Sequence, residues 1–347
     1  MIVASIAACF PSWPISNAEL LDQFAAANQH LCSSELAACQ QRIQKYLCEA
    51  GAEVRFYRNR TARERAYPLL RNAVDEALLQ AETKAADIDV LVYCGVGRGF
   101  LEPATAYFVA NDLGVSCECF DILDACMSWV RALYVVHCLF ASNRCSTALV
   151  VNAEFNIYEC GYPGIMKVES FQQLAPTLPA YTIGEAATAT VLKKSSAEWV
   201  FHFHTDTGGL PLCAVPLPNH TEYLPRLDWN LAPNGQNTFM CYGEELTSRA
   251  GRQMLRFVRN TYRKPNAFKM WFPHLATGRP YVRAGQILGL HGRMYTKTFG
   301  LYGNVVSASI PAAMAVAIKE GELNRGDHIV LCPISAGMSM ALVDFIY

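Results

Sequence analysis

Apolar and polar positions follow two patterns along the chain: short unbroken apolar runs, and longer segments with apolar residues at helical spacing. The apolar runs predict buried strands. The clearest of these runs are 88–94, 147–152, 268–272 and 328–332. Amphipathic helices are predicted before two of them, over 64–80 and 244–260. Helices that alternate with buried strands are typical of layered α/β proteins.

Two further segments, 127–141 and 308–318, are apolar all round, with Arg131 as the one formal charge between them. A helix of this composition is predicted to be buried on every side. Each such helix follows a surface helix and a strand, and each is followed by another strand. This repeated order of elements predicts two similar halves, 1–178 and 179–347, with the apolar helices packed between two sheets.

Composition supports a compact protein, because 52% of the 347 residues are hydrophobic and only 17% are charged. A net charge of −1 offers no basic field for nucleic acid. The 14 cysteines include no C-x-x-C pair, which favours reduced thiols in the cytoplasm over a disulfide scaffold. The apolar first ten residues lack a basic leader and are predicted to form a strand, so neither export nor membrane insertion is expected.

Three residues stand out as candidates for chemistry. Cys126 lies at a predicted strand-to-helix turn, where peptide N–H groups favour the reactive thiolate. His274 ends a strand, and Asn304 lies in a small-residue turn before the second apolar helix. If the halves are related by a pseudo-twofold axis, these loops converge. Taken singly, a packed core cysteine, a hydrogen-bonded core histidine and an ordinary turn explain the same residues.

At these residues the sequence resembles the β-ketoacyl synthase III group of thiolase-fold condensing enzymes. Asp-Ala-Cys at 124–126 resembles the nucleophile motif, and the segment 302–311 is similar to the Tyr-Gly-Asn-x-x-Ser-Ala-Ser-Ile-Pro element. Gly-Glu-Ala-Ala-Thr-Ala at 184–189 and Arg-Gly-Asp at 325–327 match two further family segments. The likeness spans most of the chain and is thin over 12–60 and 210–243.

This resemblance implies a thiolase fold, two similar halves forming an α/β/α/β/α sandwich around two central helices. It also implies a catalytic triad of Cys126, His274 and Asn304. In that chemistry the cysteine takes an acyl group from a coenzyme A or carrier-protein thioester, and His and Asn stabilise an enolate from a malonyl thioester. The backbone N–H groups of Cys126 and Ala336 would form the oxyanion hole. No metal or other cofactor is implied.

The resemblance also implies a homodimer, in which the loop 95–106 crosses to close the partner's acyl tunnel. Leu101 and Glu102 lie near the tip of this loop. An acidic Glu102 is unusual beside a fatty chain, so a solvated charge is one interpretation. If the residue lines the tunnel instead, the primer is not a simple acetyl group, which favours specialised metabolism over bulk fatty-acid synthesis.

Three departures from the family together favour acyl loading over decarboxylative condensation, and one of them is Met-Ser at 127–128 in place of the usual small pair after the cysteine. Thr277 stands in the His-Gln-Ala-Asn motif where the family has Asn, and Ala336 stands in the late glycine-rich loop. One alternative is therefore an acyltransferase that passes the acyl group from Cys126 to an oxygen, nitrogen or sulfur acceptor, with His274 as general base. Another alternative is a silent subunit that pairs with an active homologue or holds a carrier protein.

Two weaker signals complete the candidates. Glu154 follows a strand near the cysteine and is interpreted as a hydrogen-bonding support more readily than as a base. His202 and His204 share one face of a predicted strand, but no further ligand follows at metal-site spacing. We therefore predict no metal site.

Overall fold

The computed structural model of the chain describes residues 1–155 and 162–347. Its strands are β1 (Ile2–Cys9), β2 (Trp13–Ser16), β3 (Val54–Tyr57), β4 (Val90–Cys94), β5 (Glu118–Ile122), β6 (Thr147–Glu154), β7 (Ala186–Lys193), β8 (Trp199–Thr205), β9 (Cys213–Ala214), β10 (Met240–Cys241), β11 (Met270–Pro273), β12 (His328–Cys332), β13 (Ile334–Ser335) and β14 (Ser339–Ile346). Its α-helices are α1 (Asn17–Ala27), α2 (Ser33–Ala50), α3 (Ala66–Gln80), α4 (Thr105–Leu113), α5 (Ser128–Ala141), α6 (Tyr162–Met166), α7 (Gly243–Thr261), α8 (Arg279–Ile287), α9 (Lys297–Tyr302) and α10 (Ser309–Lys319).

The first sheet has the strand order β1-β7-β6-β4-β5. Strands β4, β5 and β6 run parallel, and β7 is antiparallel to β6 and β1. All five residues of β4 are buried, as expected of a parallel strand that is covered on both faces. The predicted strands over 88–94 and 147–152 are therefore confirmed, with ends shifted by a few residues.

The second sheet contains β11, β12 and β14, with β13 and β8 also paired to β14. Strands β11 and β12 are parallel, so their carboxyl ends lie at the same edge of the sheet. These two strands are the ones predicted over 268–272 and 328–332. His274 and the loop after Cys332 are consequently brought to one edge.

Helices α5 and α10 form the central layer between the two sheets. Leu133 of α5 and Met314 of α10 belong to one buried cluster, which also includes Val92 of β4 and Leu331 of β12. Apolar helices occupy this layer because each must cover its surface against a sheet or the other helix. The predicted pairing of two central helices is confirmed.

Amphipathic helices cover the outer face of each sheet. Val74 of α3 packs with Leu149 of β6, and Val258 of α7 packs with Leu342 of β14. The layers are thus helix, sheet, helix, sheet, helix, which confirms the α/β/α/β/α sandwich of the thiolase fold.

Helix α5 is not buried on every side, contrary to the sequence expectation. Tyr134 is 38% exposed, and Cys138 on the same face is also exposed. The Tyr134 ring meets Phe201 and Phe203 of β8 edge-on, with ring centroids 5.2 Å apart in both pairs. Partial cover by aromatic rings is enough to hold an apolar side chain that still touches solvent.

The predicted division of the chain at 178/179 stays a prediction. Strand β7 follows that point along the chain, yet it is paired with β1 and β6, which precede the point. No helix in the described part of the chain is long and apolar enough to cross a bilayer.

Candidate active site

Cys126 lies in a tight 3-10 turn, Ala125–Met127, between β5 and α5. Ala125 has a φ of 43°, a left-handed conformation that is strained for a residue with a side chain. The turn is held by Ser128, whose hydroxyl accepts from the Asp124 N–H at 2.8 Å and donates to the Ala125 carbonyl at 2.7 Å. These bonds fix the backbone on both sides of the cysteine.

His274 follows the last residue of β11 and is only 3% exposed. Its Nδ1 atom is buried and has no hydrogen-bond partner among the described residues. Burial lowers the pKa of His274 to about 4, and a hydrogen bond with the backbone of Val306 acts in the opposite direction. The imidazole is therefore neutral at neutral pH.

Asn304 is positioned by backbone pairing between two loops. Its N–H donates to the Thr182 carbonyl at 2.8 Å, and its carbonyl accepts from the Gly184 N–H at 3.0 Å. The loops lie so close that a Cβ on Gly184 would sit 2.0 Å from the Tyr302 carbonyl oxygen. The Asn304 Oδ1 accepts from the Val306 N–H at 2.9 Å, which assigns the side-chain Nδ2 as the group left to donate.

Cys126, His274 and Asn304 line one cavity of about 400 Å³. Ala336, in the loop after β13, lines it as well. The neighbouring Ser335 donates from its hydroxyl to the Asp124 carbonyl at 3.1 Å, which ties this late loop to the cysteine turn. The structure therefore brings all four residues together.

The rest of the cavity wall is mostly apolar, and helices α7 and α8 contribute about a third of it. Its apolar members on these helices and just beyond α8 include Leu246, Ala250, Met254, Leu255, Val258, Ala284 and Leu288. Such a wall binds an aliphatic chain by removing its apolar surface from water.

The ionisation of Cys126 differs from the sequence expectation. Burial, with smaller contributions from Cys213 and Glu154, raises the pKa of the Cys126 thiol well above its ordinary value. The backbone N–H of Cys126 lowers the pKa, as expected for this turn, but the effect of burial is larger. The thiol of Cys126 and the imidazole of His274, which line the same cavity, are thus both neutral at neutral pH.

Glu154 is fully buried and holds backbone in place. Its carboxylate accepts from the N–H groups of Val96 at 3.0 Å and Gly97 at 2.8 Å, and from the hydroxyl of Ser307. Ser307 also accepts from the Asn152 amide at 2.9 Å. Glu154 therefore acts as the hydrogen-bonding support that the sequence favoured, joining the loop after β4 to the turn before α10.

Leu101 and Glu102 do not line the cavity of their own chain. Leu101 is 78% exposed and Glu102 is exposed as well. Val96 from the start of the same loop and Leu123 do line the cavity. A role for Leu101 and Glu102 in a partner's tunnel stays a prediction.

His202 and His204 lie on β8 and pack against aromatic rings. Their ring centroids are 6.2 Å from Tyr262 and 5.6 Å from Phe257, respectively. Across residues 1–155 and 162–347, no group of three His, Cys, Asp or Glu side chains is arranged to hold a metal ion.

The cavity residues that were not found from the sequence include Tyr46, Tyr281, Cys213 and Cys241. Tyr46 comes from α2, in a segment where the family likeness is thin, and Tyr281 comes from the short helix α8. Cys213 and Cys241 lie on strands of two residues each, which leave no periodic signal. Only their pairing across the chain brings them to the cavity.

The chain is similar to known proteins over most of its length. The family model for the 3-oxoacyl-[acyl-carrier-protein] synthase III C terminal matches residues 259–344, which include His274 and Asn304. The β-ketoacyl-[acyl-carrier-protein] synthase III of Clostridium botulinum is 25% identical over 281 residues, covering 78% of this chain and 81% of that protein. The chain is β-ketoacyl synthase III-like.

A second kind of enzyme is also similar to this chain. The acyl-CoA:acyl-CoA alkyltransferase of Xanthomonas campestris is 25% identical over 292 residues, covering 79% of this chain and 80% of that protein. A crystal structure of a variant of OleA from the same organism, with bound lauric acid and lauroyl-CoA, superposes with a TM-score of 0.80. It is 19% identical, and the superposition covers 99% of this chain and 98% of that one, so it supports the fold.

Proposed function

We propose that this β-ketoacyl synthase III-like chain is a thioester-condensing enzyme. Cys126 takes an acyl group from a coenzyme A or carrier-protein thioester and then joins it to a malonyl-type or β-ketoacyl thioester. The observation that carries the proposal is the convergence of Cys126, His274 and Asn304 on one apolar cavity. No metal or other cofactor has a role in the proposed reaction.

In the first step, the Cys126 sulfur attacks the thioester carbonyl and the donor thiol leaves. Because burial raises the pKa of Cys126, the thiol must lose its proton as it attacks. His274 is neutral and its buried Nδ1 has no partner in the described residues, so the imidazole is available to accept that proton. The N–H groups of Cys126 and Ala336 are proposed to hold the oxyanion.

In the second step, His274 and Asn304 act on the other thioester. Loss of carbon dioxide from a malonyl thioester places negative charge on the thioester oxygen. A β-ketoacyl thioester would reach the same kind of enolate by giving a proton to the neutral His274 imidazole. The Asn304 Nδ2 group and an imidazole N–H are proposed to donate to that oxygen. The resulting carbanion attacks the acyl carbonyl on Cys126, and the cysteine leaves.

Plain acyl transfer is the second candidate function. Thr277 and Ala336, at two of the departures from the family motifs, both line the cavity in which the second step would occur. An acceptor hydroxyl, amine or thiol could then take the acyl group, with His274 as the base.

The primer is proposed to be an aliphatic acyl chain rather than acetyl. The cavity that Cys126, His274 and Asn304 line is also lined by apolar side chains of α7 and α8. Such a primer suits a specialised biosynthetic pathway. We place the reaction in the cytoplasm, because the cysteines of the described ranges are all free thiols.

Two copies of the chain are proposed to form a homodimer across β5; a heterodimer with a homologue would use the same face. Strand β5 is at an edge of the first sheet, with its outer side unpaired by the described residues. Exposed apolar side chains cluster in the neighbouring segments, at Phe100, Leu101, Tyr107, Phe108 and Leu123. In such a dimer, Leu101 and Glu102 would approach the partner's cavity.

Intact-protein mass spectrometry with a panel of acyl thioesters tests the first step. The wild type should gain one acyl group, and Cys126→Ala should gain none. Cys138→Ala, which removes an exposed cysteine from α5, should load normally. Failure of the wild type to load any donor would contradict the proposal and leave a silent subunit as the better description.

Release of carbon dioxide from a malonyl thioester tests the second step. Asn304→Ala should still load its acyl group, because the proposed role of Asn304 begins only afterwards. It should release carbon dioxide about a hundredfold more slowly, as expected when one oxyanion donor is lost. Plain acyl transfer would be favoured if the wild type loads normally, releases no carbon dioxide from malonyl thioesters and does not condense its acyl group with β-ketoacyl thioesters.

A further inference from the structure

Two cysteines face each other across strands in the wall of the active cavity. Cys213 of β9 pairs directly with Cys241 of β10 in an antiparallel ladder. Both residues line the same cavity as Cys126. The proposed condensation chemistry gives neither of them a role.

The hydrogen bonds show which kind of pair this is. The N–H of Tyr242 donates to the carbonyl of Leu212 at 2.8 Å, so these flanking residues are the hydrogen-bonded pair. The N–H of Cys241 points away from β9 and donates to the Pro176 carbonyl at 2.8 Å. Because the two kinds of pair alternate along an antiparallel ladder, Cys213 and Cys241 form a non-hydrogen-bonded pair.

A non-hydrogen-bonded pair has the spacing that a disulfide requires. Opposed residues of this kind have Cα atoms about 4.5 Å apart and side chains close together. Disulfides join residues whose Cα atoms are roughly 4.4–6.8 Å apart. The two sulfurs can therefore be joined without moving either strand far.

The two thiols differ in access. Cys213 is half-buried and open to the cavity, whereas Cys241 is only 4% exposed. Interaction with the Cys213 thiol, together with burial, raises the pKa of Cys241. A soluble oxidant entering the cavity would thus meet Cys213 first, and Cys241 would react second.

We propose that Cys213 and Cys241 form a reversible disulfide that protects Cys126 from oxidation. With glutathione disulfide as oxidant, the Cys213 thiol loses its proton and its sulfur attacks one glutathione sulfur; the first glutathione takes up a proton and leaves as a thiol. Cys241 then loses its proton and attacks the Cys213 sulfur, and the second glutathione leaves. Two cysteine thiols are oxidised, and one glutathione disulfide is reduced to two thiols.

The protection follows from the position of Cys213 beside the nucleophile. Cys213 and Cys126 line the same cavity. If Cys213 stayed as a mixed disulfide, Cys126 could attack it, or the bound glutathione could fill the cavity. Closure onto Cys241 removes that reactive sulfur. This protective role rests on the proposed function of Cys126, whereas formation of the disulfide does not.

Peptide mapping after treatment with glutathione disulfide tests the bond directly. The wild type should lose two hydrogen atoms per chain and yield a peptide linked through Cys213 and Cys241. Cys213→Ser and Cys213→Ala should yield no such link. A link between Cys126 and Cys213, or glutathione left on Cys213 of the wild type, would overturn the proposal.

A second close thiol pair supplies the control. The sulfurs of Cys117 and Cys119 lie 3.7 Å apart on one strand face. A Cys117→Ser variant should still lose two hydrogen atoms and form the Cys213–Cys241 link. If a normally folded Cys117→Ser variant no longer lost the two hydrogen atoms, the oxidised pair would be Cys117 and Cys119, and the proposal would be wrong.

Acyl loading measured during the same treatment tests the protection. Wild type should keep its capacity to load Cys126, and Cys241→Ser should lose it several-fold faster and recover it with dithiothreitol. Equal rates of loss in the two proteins would overturn the protective role. Because mapping needs no acyl donor, failure of the proposed function can be told apart from failure of this proposal.

Discussion

Cys126 and His274 share a buried cavity, and burial moves their pKa values in opposite directions. Burial disfavours a thiolate and an imidazolium alike, so it raises the pKa of the first and lowers that of the second. A resting thiolate–imidazolium pair is therefore not expected. Proton transfer from Cys126 would accompany attack on the substrate.

Alkylation of Cys126 by iodoacetamide should reveal this neutral resting state. The rate should still be rising at about pH 9, where an ordinary cysteine with a pKa of about 8.5 is mostly ionised. Mass spectrometry at each pH can follow the modified Cys126 peptide, with Cys126→Ala as the blank. A rate that reaches its plateau below neutral pH would show a thiolate instead.

Folding stability should carry a pH dependence from His274. Its pKa falls from 6.5 to about 4 in the folded chain, so below 6.5 the unfolded chain binds a proton that the native chain does not. The stability contributed by the neutral ring is thus present above pH 6.5 and lost as the pH falls towards 4. The loss should be on the order of 3 kcal/mol.

Urea unfolding at several pH values between 4 and 6.5 tests this pH dependence of stability. His274→Gln should show a shallower decline in the free energy of unfolding than the wild type. His291→Asn, which changes an exposed histidine, should keep the wild-type decline. Parallel curves for His274→Gln and the wild type would show that His274 does not carry the effect.

Single residues differ in how far the sequence reveals them. Cys126, His274 and Asn304 lie in motifs with a chemical reason, so the sequence could name them as candidates. Cys213 and Cys241 could not be named, because each matters only through a partner on another strand. Ionisation was equally hidden, since the burial that raises the pKa of Cys126 depends on the whole cavity.

At the scale of elements, Asn304 depends on two loops that touch through their backbones. Gly303 has a φ of 71°, and a Cβ there would lie 2.3 Å from the Thr182 carbonyl oxygen. Gly184 faces the other loop with the same lack of space. The two glycines allow a contact between loops that side chains would prevent.

Gly184→Ala should therefore destabilise the fold and disturb Asn304. The added methyl would have to displace the backbone of Tyr302, at a cost of about 3 kcal/mol in the free energy of unfolding. Gly300→Ala in α9 is the matched control, because its Cβ would meet the Gly51 carbonyl at an ordinary 3.7 Å. The free energy of unfolding, measured with urea, and the rate of carbon dioxide release should both fall in Gly184→Ala and not in Gly300→Ala. Equal stability of the two variants would refute the packing argument.

Elements with a strong apolar pattern were predictable, and those with a weak pattern or only two residues were not. Strand β12 was predicted with its observed ends, and α7 within a residue at each end. Strands β9 and β10 have two residues each, fewer than any periodic pattern requires. Helix α2 was missed because its apolar side is narrow, with Cys39, Ile43, Leu47 and Ala50 as its buried residues.

At the scale of the whole molecule, the doubled plan explains why distant loops meet. The carboxyl ends of β5 and β11 lead to Cys126 and His274, and α10 packs against α5 behind them. The repeat therefore predicted the meeting of these loops from order along the chain alone. It could not predict β7, which crosses back to join strands of the first half.

The apolar surface beside β5 is the strongest whole-molecule evidence for self-association. An unpaired strand edge can pair with another chain, and exposed aromatic and leucine side chains beside such an edge are typical of an interaction surface. Leu101→Asp places a charge in this surface, so the proposed dimer should dissociate at concentrations where the wild type is dimeric. Light scattering coupled to size-exclusion chromatography measures the mass.

Leu79→Asp is the matched control for this prediction, because Leu79 and Leu101 are both 78% exposed. Leu79 lies on α3, outside the loop 95–106, so its variant should keep the wild-type mass. A charge on either leucine costs little in an isolated chain, since both side chains already face water. A lower mass in Leu101→Asp alone would therefore show loss of an interface rather than loss of folding. If both variants keep the mass of a dimeric wild type, Leu101 is not part of the interface.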